Sequence, residues 1–424
     1  MPMVRTFTGS PRDIGAAFGR TNQEALRQAQ TAWLGRAGKN DVTAEQLLDM
    51  VQPMVAVVRE IAPHWIEEAE AAAEVAGIDP ALHVAQMFYI GQASTGFRGW
   101  FVPEGEDDCT SYTVSPGFTE GNAAFFHRTR DNTPGRQTGA IWETKVPGVY
   151  KFLAVTYTRS RSPSVMVNEK GLAASADAVG PSATKRQDVG MMNGLMLRYI
   201  AEKAADCEEA LEIIERFVEN GWYAGGKPGT RWTLVDRHGT LLDAAHSSDQ
   251  GSLTHRYRTG KSHVTVTRGG TADKMLEDLD EPIRFTAFRN VSRKPEARID
   301  QGRASIAGMT IRIHPEHPEV LTSAWFSFPA VSLAFPMYMG GTATPLPLMD
   351  GSIYDLCAGM PQDYEAWQRI EEALHQDSLQ LEAKVAALLA EGSREQARQL
   401  IDAWTQVRAA AHLALLEEQR DRGQ

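Results

Sequence analysis

Apolar residues recur at helical spacing from Thr43 to about Ser94, and the phase restarts once, at Gly77-Ile78-Asp79-Pro80. There an Asp N-cap followed by a Pro predicts the start of a new helix. Upstream, Thr8-Gly9-Ser10-Pro11 predicts a turn with Ser10 as N-cap and Pro11 at the first helical position. In the helix it opens, Gly15 and Gly19 would let another element approach closely. The first hundred or so residues therefore read as mostly α.

After the acidic, turn-rich segment Pro103-Glu104-Gly105-Glu106 the periodicity changes from helical to alternating. Thr110 to Ser115 predicts a strand, Pro116 to Asn122 a long turn, and Ala123 to Arg128 the returning strand. Further strands are predicted over Val149 to Thr158 and Ser164 to Ala176, the second a pair joined through Asn168-Glu169-Lys170-Gly171. A hairpin follows over Trp232 to Ala244, turning at His238-Gly239, and then a strand over Ser262 to Thr267. Helices are predicted over Met191 to Ala204 and Cys207 to Asn220. Leu321 to Met339 reads as strand material interrupted by Pro329 and Pro336. The tail from Gln362 to Gln424 reads as two helices separated near Glu391-Gly392-Ser393. Strands flanked by helical blocks, without regular βαβ alternation, predict an α+β architecture of stacked antiparallel sheets between helical layers.

Composition narrows the class. The 424 residues suffice for a sizeable core, as one large domain with helical additions or as two. A net charge of -11, with no basic cluster interleaved with aromatics, argues against a nucleic-acid partner. No apolar run is long enough to span a bilayer, and Met1-Pro2-Met3-Val4-Arg5 lacks a signal-peptide apolar region. The expectation is a cytoplasmic protein with no membrane partner. Cys109, Cys207 and Cys357 are widely spaced, with no CxxC pair, which suits a reducing compartment. His314-Pro315-Glu316-His317-Pro318 looks like a ligand pair, but its prolines forbid the helix that would align both rings. No metal or other cofactor is expected. Gly221 to Pro228 nearly spells a P-loop, yet Pro228 replaces the metal-binding hydroxyl and a helix precedes it.

The chemistry concentrates at Asp107-Asp108-Cys109-Thr110-Ser111-Tyr112 and Phe126-His127-Arg128-Thr129-Arg130-Asp131-Asn132. A lone cysteine is by default a buried structural residue. Cys109, however, follows a charged linker at the head of a strand, where the chain could be cut without loss of the core. As a first residue its thiol (pKa about 8.5) would lie beside an α-amine of pKa about 7.7 to 8.0, which can serve as general base near neutral pH. Strand alternation points His127 away from the face of Arg128, so His127 reads as structural.

These motifs resemble the N-terminal nucleophile hydrolases with a catalytic cysteine: the acyl-coenzyme A:isopenicillin N acyltransferase family, the penicillin V acylases and the choloylglycine (bile salt) hydrolases. The resemblance extends from about Thr8 to about Gly270 and implies an αββα sandwich. It implies cleavage between Asp108 and Cys109, with Cys109 as nucleophile, Arg128 beside the thiolate and Asp131 holding the α-amine. The segments would then be 1–108, mostly helical; 109–361, the catalytic core; and 362–424, a helical extension. Asn168 to Leu172 resembles the stretch ahead of the family's substrate-facing asparagine, but this chain has Asp177 there. An ionised carboxylate cannot donate to an oxyanion, so Asp177 is expected to bind a cationic substrate group or to support another residue. The second oxyanion donor would align with Thr267 or Arg268.

The implied reaction is hydrolysis of a linear amide C–N bond in a small molecule through an acyl-enzyme thioester. Transfer of the acyl group to an amine, dipeptidase activity, and a non-catalytic binding protein of the same fold are the alternatives. The cleaved fragments are expected to stay associated, with homo-oligomerisation left open.

Overall fold

The computed structural model describes residues 3–90, 109–131, 137–178, 189–224, 229–247, 252–258, 263–266, 272–297, 299, 305–360 and 363–422. Asp108, Thr267, Arg268 and the Gly225 to Pro228 part of the P-loop-like segment lie outside the described residues. In chain order the strands are β1 (Val4–Gly9), β2 (Phe88–Ile90), β3 (Cys109–Val114), β4 (Ala124–Asp131), β5 (Gln137–Thr144), β6 (Phe152–Tyr157), β7 (Ser160–Asn168) and β8 (Leu172–Ala178). They continue as β9 (Val189–Met191), β10 (Gly229–Asp236), β11 (Leu241–Ser247), β12 (Ser252–Arg258), β13 (His263–Val266), β14 (Ser305–Ile313), β15 (Ser323–Ser327) and β16 (Phe335–Tyr338). Eight form one sheet in the order β1-β5-β6-β7-β8-β10-β11-β12, and six form a second in the order β13-β3-β4-β14-β15-β16. Pairing is antiparallel in both sheets except between β1 and β5.

Alternation along these strands gives each sheet two apolar faces, which dictates four layers. Phe7, Trp142, Phe152, Met166 and Trp232 leave one face of the larger sheet and pack under helical residues such as Ile14, Phe18, Trp65, Leu197 and Ile214. Ile141, Val155, Val167 and Val235 leave its other face and meet the smaller sheet. Beyond the smaller sheet, Phe125 packs on Phe285 and Phe288, and Trp367 of the helix Tyr364–Ala390 closes the core. The expected αββα sandwich is the observed architecture.

The helical covering forms where the caps predict. Helix α1 (Pro11–Thr21) starts at Ser10, whose Oγ accepts from Asp13 N at 3.2 Å while the Asp13 carboxylate accepts from Ser10 N at 3.0 Å. Next come α2 (Gln23–Gly38) and α3 (Ala44–Ile61), then α4 (Pro63–Ala76), which ends at left-handed Gly77. Asp79 caps α5 (Pro80–Ala85). Helix α4 crosses α1 so closely that a Cβ on Gly15 would lie 2.2 Å from Glu68 O, and one on Gly19 2.5 Å from Ala72 O. Both obstacles are backbone. Gly15→Ala is therefore expected to destabilise by about 1 to 3 kcal/mol through overpacking. An unchanged thermal unfolding midpoint would show that α1 and α4 can separate freely.

Two further helices, α6 (Asn193–Lys203) and α7 (Cys207–Glu219), complete this layer. A buried charge network ties α4 to α6. Arg198 of α6 bridges Glu68 of α4 and Glu202, each at 2.8 Å, and Glu202 also accepts from Trp65 Nε1 at 2.9 Å. At the chain end, Tyr364–Ala390 and Arg394–Arg422 are the two helices the sequence predicts, parted at Gly392. No helix among the described residues is long and apolar enough to cross a membrane.

Candidate active site

Cys109 is the first residue of β3 and is 4% exposed. It pairs with Arg130 across the β3–β4 ladder, and Ser111 pairs with Arg128. Directly opposed residues share a face, so Cys109, Ser111, Arg128 and Arg130 all project from the same side of the smaller sheet. That side meets the larger sheet. Arg128 Nη2 lies 2.9 Å from Asp177 Oδ1 on β8 and donates to Ala176 O at 2.8 Å. Ser111 Oγ donates to Asp177 Oδ2 at 2.8 Å and lies 2.7 Å from Ser175 Oγ. Arg128, Asp177, Ser111 and Ser175 are all buried.

The Asp177 carboxylate faces the Arg128 guanidinium and the Ser111 hydroxyl. Ser111 and Ser175 complete this bridge between the sheets. Ser111 was legible as a neighbour of Cys109 two positions along one strand, whereas Ser175 had no signal of its own.

Asp131 projects from the opposite face of β4, where it accepts a 2.5 Å hydrogen bond from Ser305 Oγ of β14. The Arg-x-x-Asp segment thus divides its charges between the two sides of one strand. His127 also projects to that far side, with Nδ1 2.8 Å from Thr310 Oγ1, as expected for a structural residue. Burial, then the positive field of Arg289 and Arg293, holds its pKa well below the usual histidine value. A neutral ring on the wrong face is no base for Cys109.

The other two thiols are poor nucleophile candidates. Burial, then nearby Asp236, pushes Cys207 well above the usual thiol value, and its Sγ donates to Thr240 O at 3.3 Å. Burial pushes Cys357 up to about 12. Only the thiolate is an effective nucleophile, so both are inert at neutral pH. His314 Nδ1 is occupied as well, accepting from His317 N at 3.0 Å. Among the described residues no group of three His, Cys, Asp or Glu is placed to hold a metal. Strand β13 ends at Val266 opposite Thr110 and immediately precedes Thr267 in sequence. Trp325 and Phe326 are buried in the core.

Residues 118–268 match the family described as acyl-coenzyme A:6-aminopenicillanic acid acyl-transferase. The chain resembles the N-terminal nucleophile hydrolases of that type. The matched stretch holds Arg128, Asp131, Asp177, Thr267 and Arg268, and it begins after Cys109. No curated protein matches the chain. Among solved structures, penicillin V acylase from Agrobacterium tumefaciens aligns at a TM-score of 0.37 and 16% identity, covering 55% of this chain and 86% of its own. A Caenorhabditis elegans N-acylethanolamine-hydrolyzing acid amidase ortholog gives 0.36 and 12%, over 48% and 92%. A variant of conjugated bile acid hydrolase from Clostridium perfringens gives 0.34 and 9%, over 55% and 92%. The activity in the description of the matched family is acyl transfer.

Proposed function

We propose that the chain hydrolyses a linear amide with Cys109 as an N-terminal nucleophile, freed by cleavage of the Asp108–Cys109 bond. The observation that carries this reading is the placement of Cys109 and Arg128 on one face of adjacent strands, with Arg128 anchored by Asp177. A guanidinium so held is a fixed positive charge for the thiolate and for the anionic intermediate, and it costs no reorganisation during reaction. Asp131, on the other side of β4, is assigned to the main-chain end of Cys109, its α-amine. Thr267 or Arg268 is assigned to the substrate carbonyl oxygen.

In this mechanism the α-amine takes the thiol proton as sulfur attacks the amide carbonyl carbon. The tetrahedral intermediate collapses, the C–N bond breaks, and the ammonium returns its proton to the departing nitrogen. The product left on the protein is a thioester on Cys109. Water then attacks the thioester carbonyl, the amine again carries the proton, and carboxylic acid and free thiol are released. An amine in place of water gives acyl transfer, the activity named for the matched family.

The test is to quench turnover in acid and map the acylated peptide. The acyl mass is expected on the peptide beginning at Cys109 and should be removed by neutral hydroxylamine. Acylation of Cys207, Cys357 or a serine instead would overturn the assignment.

A further inference from the structure

Ser111 and Ser175 enter no step of the proposed mechanism, yet both are 0% exposed and their hydroxyl oxygens lie 2.7 Å apart across the gap between the sheets. Ser111 leaves β3 on the Cys109 face, and Ser175 leaves β8 on the face of Asp177, two residues away. Proton inventory fixes the direction of this chain. A hydroxyl has one proton to donate, and Ser111 donates its own to Asp177 Oδ2 at 2.8 Å, so Ser175 must donate to Ser111. The other contact of the carboxylate is different in kind. Arg128 Nη2 lies 2.9 Å from Asp177 Oδ1, but among the described residues Oδ1 accepts no aligned hydrogen bond. Such an ion pair attracts without fixing direction, so the Ser111 hydroxyl sets the orientation of the carboxylate.

We infer that Ser175 and Ser111 are positioning residues, a hydroxyl relay that orients the Asp177 carboxylate and thereby sets the field that Arg128 and Asp177 together place on Cys109. Ser111 and its partner Arg128 stand two residues along their strands from Cys109 and Arg130, roughly 7 Å. At that range Arg128 favours the thiolate and Asp177 opposes it. The hydrogen bond from Ser111 disperses charge on the carboxylate. Losing it strengthens the opposing charge and weakens the net effect of Arg128. The other charged groups on this side are Arg130 of β4 and Arg231 of β10, which lies opposite Asp177 in register. Arg231 Nε donates to Asp243 Oδ1 at 2.7 Å, and Asp273 of the helix Ala272–Glu277 also attracts Arg231. All of them are kept in the variants that follow. This inference rests on Cys109 being the reacting centre.

The test titrates the Cys109 thiolate by its ultraviolet absorbance, taken as the difference between each protein and the same protein carrying Cys109→Ala. Ser111→Ala is expected to lower the thiolate fraction below the midpoint by about 3-fold to 10-fold, a rise of about 0.5 to 1 in the midpoint pH. Ser111→Thr keeps a hydroxyl and should return the midpoint most of the way to that of the unaltered chain. Ser175→Ala spares the bond to Asp177 and should raise the midpoint by less. Circular dichroism shows which variants are folded. An unmoved midpoint in Ser111→Ala, or in Ser175→Ala where Ser111→Ala does not fold, would overturn the inference, and so would a Ser111→Thr midpoint no lower than that of Ser111→Ala. The readout needs no turnover, so failure to find an acyl group on Cys109 would sink the proposed reaction without deciding the relay.

Discussion

Cys109→Ala is expected to yield a folded protein whose amide turnover has fallen by about four orders of magnitude or more, because in the proposed mechanism Cys109 alone forms the thioester. The change trims one sulfur from the first residue of an edge-proximal strand end, so the unfolding midpoint should move little. Cys207→Ala and Cys357→Ala should keep turnover, since burial keeps both thiols protonated at neutral pH. They should cost stability instead, because Cys207 and Cys357 sit in separate cores. Wild-type rates in Cys109→Ala, or their loss in either of the other variants, would point to a different nucleophile.

The second large effect concerns Asp177. Asp177→Ala removes the carboxylate 2.9 Å from a guanidinium that is 1% exposed, and breaking such a buried pair costs about 3 to 5 kcal/mol. Asp177→Asn keeps the shape and a partner for Ser111, so it should cost less while still loosening Arg128. Urea unfolding measures the first effect, and kcat/KM on cationic and neutral amides measures the second. A role in positioning Arg128 lowers both substrates in proportion. Selective loss of the cationic amide would assign Asp177 to the substrate-binding role.

Local signals account for what the sequence made legible. Ser10-Pro11, Asp79-Pro80 and Glu391-Gly392-Ser393 encode caps and breaks within a few residues, and the helices begin and end there. The turns Asn168 to Gly171 and His238-Gly239 likewise set β7–β8 and β10–β11. Strands β1, β5, β12 and β14 are not among the predicted strands, although turn residues such as Pro134-Gly135 before β5 and Gly251 before β12 flank them. Strand β1 pairs with β5 far along the chain, and β14 lies between β4 and β15 in the middle of its sheet. Within β14, Ala307 and Gly308 break the β-branched run; a Cβ on Gly308 would lie 2.6 Å from Ser327 Oγ, a close approach no local pattern reveals. Pro336 reads as an interruption yet sits inside β16 opposite Trp325, tolerated on an edge strand.

The site divides in the same way. Alternation along β3 and β4 put Cys109 and Arg128 together and set His127 apart, because both strands are adjacent in sequence. The contacts of Arg128 with Asp177 and of Asp131 with Ser305 cross from β4 to elements remote in the chain. Their pairing follows from how the sheets stack and pair, which local spacing does not encode. The unexpected Asp at 177 nevertheless marked the position. A carboxylate where an amide was expected turned out to face an arginine.

The most direct test of Cys109 as an N-terminal nucleophile is the intact mass and N-terminal sequence of freshly purified, active protein. Two associated chains are expected, the second beginning Cys-Thr-Ser-Tyr at Cys109. A single uncut chain of 46.6 kDa with full amidase activity would contradict the account.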